Sequence, residues 1–112
     1  MKKEYRIKKT TEIESIIKFK HVFGNKYFTV YIKNSETSHF RCALSVGKKI
    51  GKAVVRVHIK RQIRSIVREN NQKLQAYDIF IVAKPLCLEL DYKNKKKQLE
   101  YIFKKLNIVK EK

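Results

Sequence analysis

The hydrophobic positions change period several times along the chain, and each change marks an element. Thr11-Glu12-Ile13-Glu14 has the spacing of a capping box, with Thr11 as cap and Glu14 three residues on. Ile13, Ile16 and Ile17 then mark one side of a short helix ending near Lys20. KYFTVYIKN alternates: Phe28, Val30 and Ile32 point one way, Tyr27, Thr29 and Tyr31 the other. The stretch from Asn34 to Ser38 is polar and turn-like. RCALSVG then resumes the alternation, with Cys42, Leu44 and Val46 inward and Arg41, Ala43 and Ser45 on the opposite face. The two segments read as a hairpin with a loop of moderate length.

Gly47 and Gly51 bracket Lys48 and Lys49, so this strand ends in a basic loop. A helical period follows, in which Ile59, Ile63, Ile66 and Val67 form a core stripe. YDIFIVAKP is a third strand, nearly continuous in apolar character and stopped by Pro85. Asp91 caps a last helix whose buried stripe is Leu99, Ile102, Phe103 and Leu106. The order is α-β-β-α-β-α, an α+β sandwich of helices against a small sheet. The strand after the long helix is expected to run parallel to the one before it, since a helical crossover permits that.

Composition narrows the class. The 112 residues suffice for one domain, taken as 1–112, and are too few for two. No stretch is long and apolar enough to span a bilayer, and the N-terminus lacks the apolar run of a signal peptide, so the cytoplasm is the expected location. Cys42 and Cys87 have no metal-ligand spacing and read as buried thiols rather than a disulfide.

Charge changes the picture more. Lys and Arg outnumber Asp and Glu by 28 to 10, a formal net charge of +18, which points to a polyanionic partner. Between Thr37 and Arg68 there is no acid and there are nine basic residues. On the long helix Lys60, Arg64 and Arg68 follow one another at intervals of four, with Arg61 on the adjoining row and Arg56 one turn back. A helix face that is merely solvated usually mixes signs; this one does not. Behind a glycine-bracketed loop, such a helix start can contact phosphate through side chains and backbone N–H groups together. Tyr27 and Tyr31, on the outward sheet face, either stack on unpaired bases or pack under the first helix.

Catalytic chemistry finds little support. His21, His39 and His58 have no partners at metal-ligand spacing, and Ser45 and Ser65 lack the context of a nucleophile. GKKIGK lacks the Gly-Lys-Ser/Thr ending of a phosphate loop.

The stretch SVGKKIGKAVVRVHIKRQIRSIVREN closely resembles the protein subunit of bacterial ribonuclease P. That family's signature runs roughly Lys-Lys-x-Gly-x-Ala-Val-x-Arg-Asn-Arg-x-Lys-Arg-x-x-Arg, and Lys48, Lys49, Gly51, Ala53, Val54, Arg56, Lys60, Arg61 and Arg64 stand in register with it. The similarity extends to YRIKK, KYFTVYI, HFRCALSVGKK, DIFIVAKP and the final helix, nearly the whole chain. The resemblance implies the same element order, with an uncommon left-handed βαβ crossover around the basic helix where the usual hand is right. It also implies a ribonucleoprotein enzyme: the RNA subunit, with bound magnesium, removes the 5′ leader of precursor tRNA, and the protein assists without a catalytic residue of its own. Carried over, Lys48, Lys49, Arg61, Arg64 and Arg68 meet the catalytic RNA. Ile13, Ile17, Tyr27, Tyr31, Arg56 and Lys60 face the single-stranded leader, in a cleft between the first helix and the sheet. The isolated protein is expected to be a monomer with no membrane partner.

Two departures stand out. Val57 and His58 occupy the positions where the family usually has Asn-Arg, which removes an amide and a guanidinium. Ile13 and Ile17 stand where aromatic residues are frequent, and isoleucine offers no π face. A ribosomal or other structural RNA-binding protein is the alternative that composition favours equally. A nuclease acting alone and a binder of anionic membranes fit less well.

Overall fold

The computed structural model describes residues 5–109. Its elements are α1 (Thr10–Lys18), β1 (His21–Gly24), β2 (Phe28–Asn34), β3 (Arg41–Val46), α2 (Ala53–Glu69), β4 (Tyr77–Ala83) and α3 (Tyr92–Lys105). Short 3-10 turns at Lys48–Ile50 and Pro85–Glu89 precede α2 and α3. The architecture is the expected α+β sandwich with one strand more. β1 is only four residues long and contains His21 and Gly24, too weak a pattern to stand out. It is set off by Lys20, with φ of 60°, and by Asn25, whose side-chain oxygen accepts from the N–H groups of Tyr27 and Phe28.

The expected hairpin between the second and third strands does not form. The sheet order is β1-β2-β4-β3, with β2–β4 antiparallel and β3–β4 parallel. The reason lies in β4. Ile79, Phe80 and Ile81 are consecutive and all buried, so this strand needs cover on both faces and a neighbour on both edges. It therefore takes a central place, and β3, which carries Arg41 and Ser45, goes to the edge. The parallel pairing across the α2 crossover is as expected.

The sheet has an apolar layer on each face. Phe28, Val30 and Ile32 pack with Ile59, Ile63 and the α3 stripe in the main core. On the opposite face Ile16 of α1, Ile7, Ala43 and Phe80 form a second cluster, with Ile13, Tyr31 and Val82 packed against it. Both helix stripes read from the sequence are buried as expected. Asp91 caps α3 by accepting from the N–H of Asn94 at 2.8 Å. The capping box at Thr11 is absent: α1 begins at Thr10, with Lys9 at the cap position and no side-chain cap. Thr11 thus falls inside the first turn, and Glu12 reaches across to Arg41 at 2.8 Å. Arg41 also donates from Nε and a terminal nitrogen to both oxygens of the buried Asp78, at 3.0 and 2.8 Å. This cluster fastens α1 to the edge of the sheet.

Candidate nucleic-acid interface

Burial of Ile50 fixes the loop before α2 and leaves Lys48 and Lys49 outside. The turn closes through Ile50 N–H to the Gly47 carbonyl and Gly51 N–H to the Lys48 carbonyl. Gly51 has φ of 153° and lies over Val55, where an added Cβ would come within 3.3 Å of the valine side chain. Beyond it α2 starts without a side-chain cap or any acid in its first turn. Its first N–H groups are therefore left for an anion or solvent.

Because Ile59, Ile63, Ile66 and Val67 turn into the core, Arg61 and Arg68 are exposed and Arg56, Lys60 and Arg64 lie half-buried along the rim. The described residues form three ion pairs: Arg41–Glu12, Arg41–Asp78 and Lys96–Glu69. None involves Lys48, Lys49 or the basic residues of α2. The one acid of α2, Glu69, is taken up by Lys96 and by the hydroxyl of Tyr92, and these contacts hold its carboxyl below the usual carboxylate range. The buried Arg56 Nε has no hydrogen-bond partner among the described residues. Among the described residues the ridge cations form no ion pair, which leaves them available to a phosphate backbone.

Tyr31 belongs to the face under α1. Val22, Tyr31, Phe80 and Ala43 are direct cross-strand partners, forming one row across the sheet. Tyr31 and Phe80 stack with centroids 5.9 Å apart and an angle of 29°. Ile13 leans on this cluster, and Ile17, 40% exposed, continues the same side of the helix. Of the two readings of Tyr31, packing beneath the helix is the one seen, and part of the ring's surface stays open. Tyr27 differs. It precedes β2, packs against the main core and carries the Lys26 ammonium 5.4 Å from its ring centroid. The structure does not bring it into the cluster that holds Tyr31.

Ile13 and Arg64 were assigned by the resemblance to different RNA partners, yet they line one notch. It measures about 280 Å³ at the β3 edge and also includes Arg6 and Lys8. Arg6 is held there by a bridge to Cys42, with Ile7 N–H donating to the Cys42 carbonyl at 3.0 Å. The YRIKK segment gave no periodic signal for this placement. Phe80 was hidden in a continuous apolar run that does not reveal faces. Cys42 and Cys87 are both buried and free, and burial pushes the Cys42 thiol up to about 12. Among the described residues no three His, Cys, Asp or Glu side chains form a metal-holding group, and no helix is long and apolar enough to cross a membrane.

Comparison with known proteins agrees with this geometry. The family model described as Ribonuclease P matches residues 1–107. The ribonuclease P protein component of Streptococcus gordonii is 42% identical over 111 residues, covering 99% of this chain and 93% of that protein. That of Pediococcus pentosaceus is 42% identical over 106 residues, 93% of this chain and 89% of the relative. Among solved structures, the Staphylococcus aureus RNase P protein superposes with a TM-score of 0.88 at 35% identity, over 93% of this chain and 96% of that one. The Thermotoga maritima RNase P protein gives 0.82 at 25% identity, over 89% and 96%. A ribosomal or other structural RNA-binding role is therefore not favoured. The chain belongs to the ribonuclease P protein family and serves as the protein subunit of that ribonuclease in tRNA 5′ processing.

Proposed function

We propose that the chain is a non-catalytic subunit, which neutralises phosphate on the catalytic RNA with the α2 ridge and holds the precursor's leader beside α1. The observation that carries this reading is the unpaired state of the ridge cations among the described residues. Lys48, Lys49, Arg61 and Arg68 are exposed and face the catalytic RNA in this reading. Tyr31, Ile13, Ile17, Arg56 and Lys60 offer the leader an apolar floor with cations at its rim. Arg64, in the notch with Ile13, stands where the two RNAs would meet.

The side chains of the cleft support RNA-borne catalysis. Hydroxyls, alkyl groups and permanently protonated cations bind phosphate and bases but do not activate water at neutral pH. Of the carboxylates near α1, Glu14 and Glu36 are exposed, and Glu12 and Asp78 are both committed to Arg41. The pair held by Arg41 are poor ligands for magnesium, which wants free oxygen donors, and among the described residues no three acidic, Cys or His side chains form a metal-holding group, so the metal is assigned to RNA phosphates. Added protein cations lessen phosphate repulsion and so lower the magnesium concentration needed. The subunit acts as a monomer, in the cytoplasm, on precursor tRNA.

Cleavage of precursor tRNA by a cognate catalytic RNA, with and without the protein over a magnesium series, tests this. The protein should shift the magnesium requirement downward and show no cleavage alone. Magnesium-dependent cleavage by RNA-free protein would overturn the proposal.

A further inference from the structure

At the end of α2, away from the α1 cleft, the chain makes a cavity of different chemistry. About 360 Å³ in volume, it is lined by Tyr5, His39 and Phe40 on one side and by Asn71, Gln72 and Gln75 on the other. Among the described residues none of those lining it is an Asp, Glu, Lys or Arg, in a chain where 34% of residues are charged. Tyr5 stacks on the buried Phe40 with centroids 5.0 Å apart and 25° between planes, and meets His39 edge-on at 4.6 Å. His39 Nδ1 lies 2.8 Å from the Phe40 carbonyl, which can only accept, so Nδ1 carries a proton and donates, and Nε2 is the ring's remaining polar atom.

The opposite wall is held open by its neighbours. Asn70 is buried and donates to the Ile66 carbonyl and to Glu100, while Leu74 is buried in the core. The turn between them therefore projects Asn71 and Gln72 outward, and neither amide has a side-chain hydrogen bond among the described residues.

From this we propose that the cavity is a nucleobase pocket for one unpaired RNA base, an inference that rests on the RNA-binding reading above. Stacked rings offer a π surface to any base, and primary amides present donor and acceptor together, as the edge of a base demands. A phosphate finds no cation among the described lining residues. The cavity does adjoin the ridge: Asn71 N–H donates to the carbonyl of Arg68, and Lys73 is exposed in the same turn. An RNA strand tracking Lys60, Arg64 and Arg68 would thus reach the pocket with its phosphates still on cations and a base free to turn in.

Two measurements on the full chain test this. In a titration with each of the four nucleoside monophosphates, the NMR signals of His39, Asn71 and Gln72 should move saturably, whereas ribose 5-phosphate should leave them in place. Equal movement with ribose 5-phosphate, or none with any nucleotide, would overturn the proposal. The exposed pair Asn71→Ala/Gln72→Ala should weaken RNA binding roughly 5- to 150-fold, the range expected for two hydrogen bonds. The slope of affinity against salt should stay as in the wild type, since no charge is removed. Weakening on the catalytic RNA alone assigns the base to that RNA; weakening on precursor but not mature tRNA in the holoenzyme assigns it to the leader. Unchanged affinity for every RNA, or a shallower salt slope, would overturn the pocket. Failure of the RNA-binding reading itself would show separately, as wild-type protein with no salt-dependent affinity at all.

Discussion

Replacing Tyr31 by alanine separates the leader-binding role of the α1 face from its structural role. The ring is half-buried, stacked on Phe80 at 5.9 Å, and packed against the cluster of Ile7, Ile16 and Ala43. Full burial of a large aromatic makes truncation cost about 3–5 kcal/mol; half-burial brings that to about 2, and the lost ring pair adds about 0.5–1.5. A domain stable by about 5–15 kcal/mol should remain folded, with a lower melting temperature. Losing one stacking contact costs about 1–3 kcal/mol of RNA affinity, or about 5- to 140-fold. In the reconstituted holoenzyme that loss should fall on precursor tRNA, with mature tRNA binding within about twofold of wild type. Tyr31→Phe is the control. The hydroxyl has no hydrogen bond among the described residues, so it should keep both the melting temperature and precursor affinity. Equal loss on both tRNAs, or a lower melting temperature with undiminished precursor binding, would refute a leader contact at Tyr31.

Val57→Asn with His58→Arg should steepen the salt slope of assembly with a catalytic RNA that expects the usual signature by about 0.7–0.9, with an unchanged melting temperature. Val57 is 45% exposed and His58 is exposed, so neither supports the core; a lower melting temperature with the slope unaltered would show Val57 to be structural. Arg41→Ala leaves the buried Asp78 carboxylate without its guanidinium and should cost about 3 kcal/mol in urea unfolding, whereas a loss under about 1 would mean that solvent replaces the pair. Cys42 gives a pH dependence: its thiol is raised by burial to about 12 from an ordinary 9.0, so the folded chain keeps a proton that the unfolded chain gives up. This contribution is intact below pH 9 and is lost as pH rises toward 12, by up to about 4 kcal/mol. The stability gap between wild type and Cys42→Ala should therefore narrow through that window, and a constant gap would contradict the burial argument.

What could be read from the sequence follows from which patterns are periodic. The stripes of α2 and α3 repeat over about two turns each, and their buried residues emerged by number. Phe28, Val30 and Ile32 did so from strict alternation. The parallel run of β3 and β4 followed from the helical crossover, but the partner of β2 did not emerge, because local polarity between Asn34 and Ser38 looks the same whether the chain turns back or passes over a neighbour. The unbroken apolar run of β4 read only as a strand, and its place between β2 and β3 came from the structure. The ridge was legible as charge without acid, since its meaning lies in composition. The notch that joins Arg6, Lys8, Ile13 and Arg64 depends on a two-residue bridge to β3, and no local pattern encodes such a contact.

The central claim is that the α2 ridge meets RNA as unpaired cations, and the salt dependence of binding to the catalytic RNA tests it most directly. With about five phosphates neutralised, the log–log slope should be about −3.5 to −4.5, so tripling the salt weakens binding about 45- to 140-fold. A slope near zero, with binding retained, would contradict it.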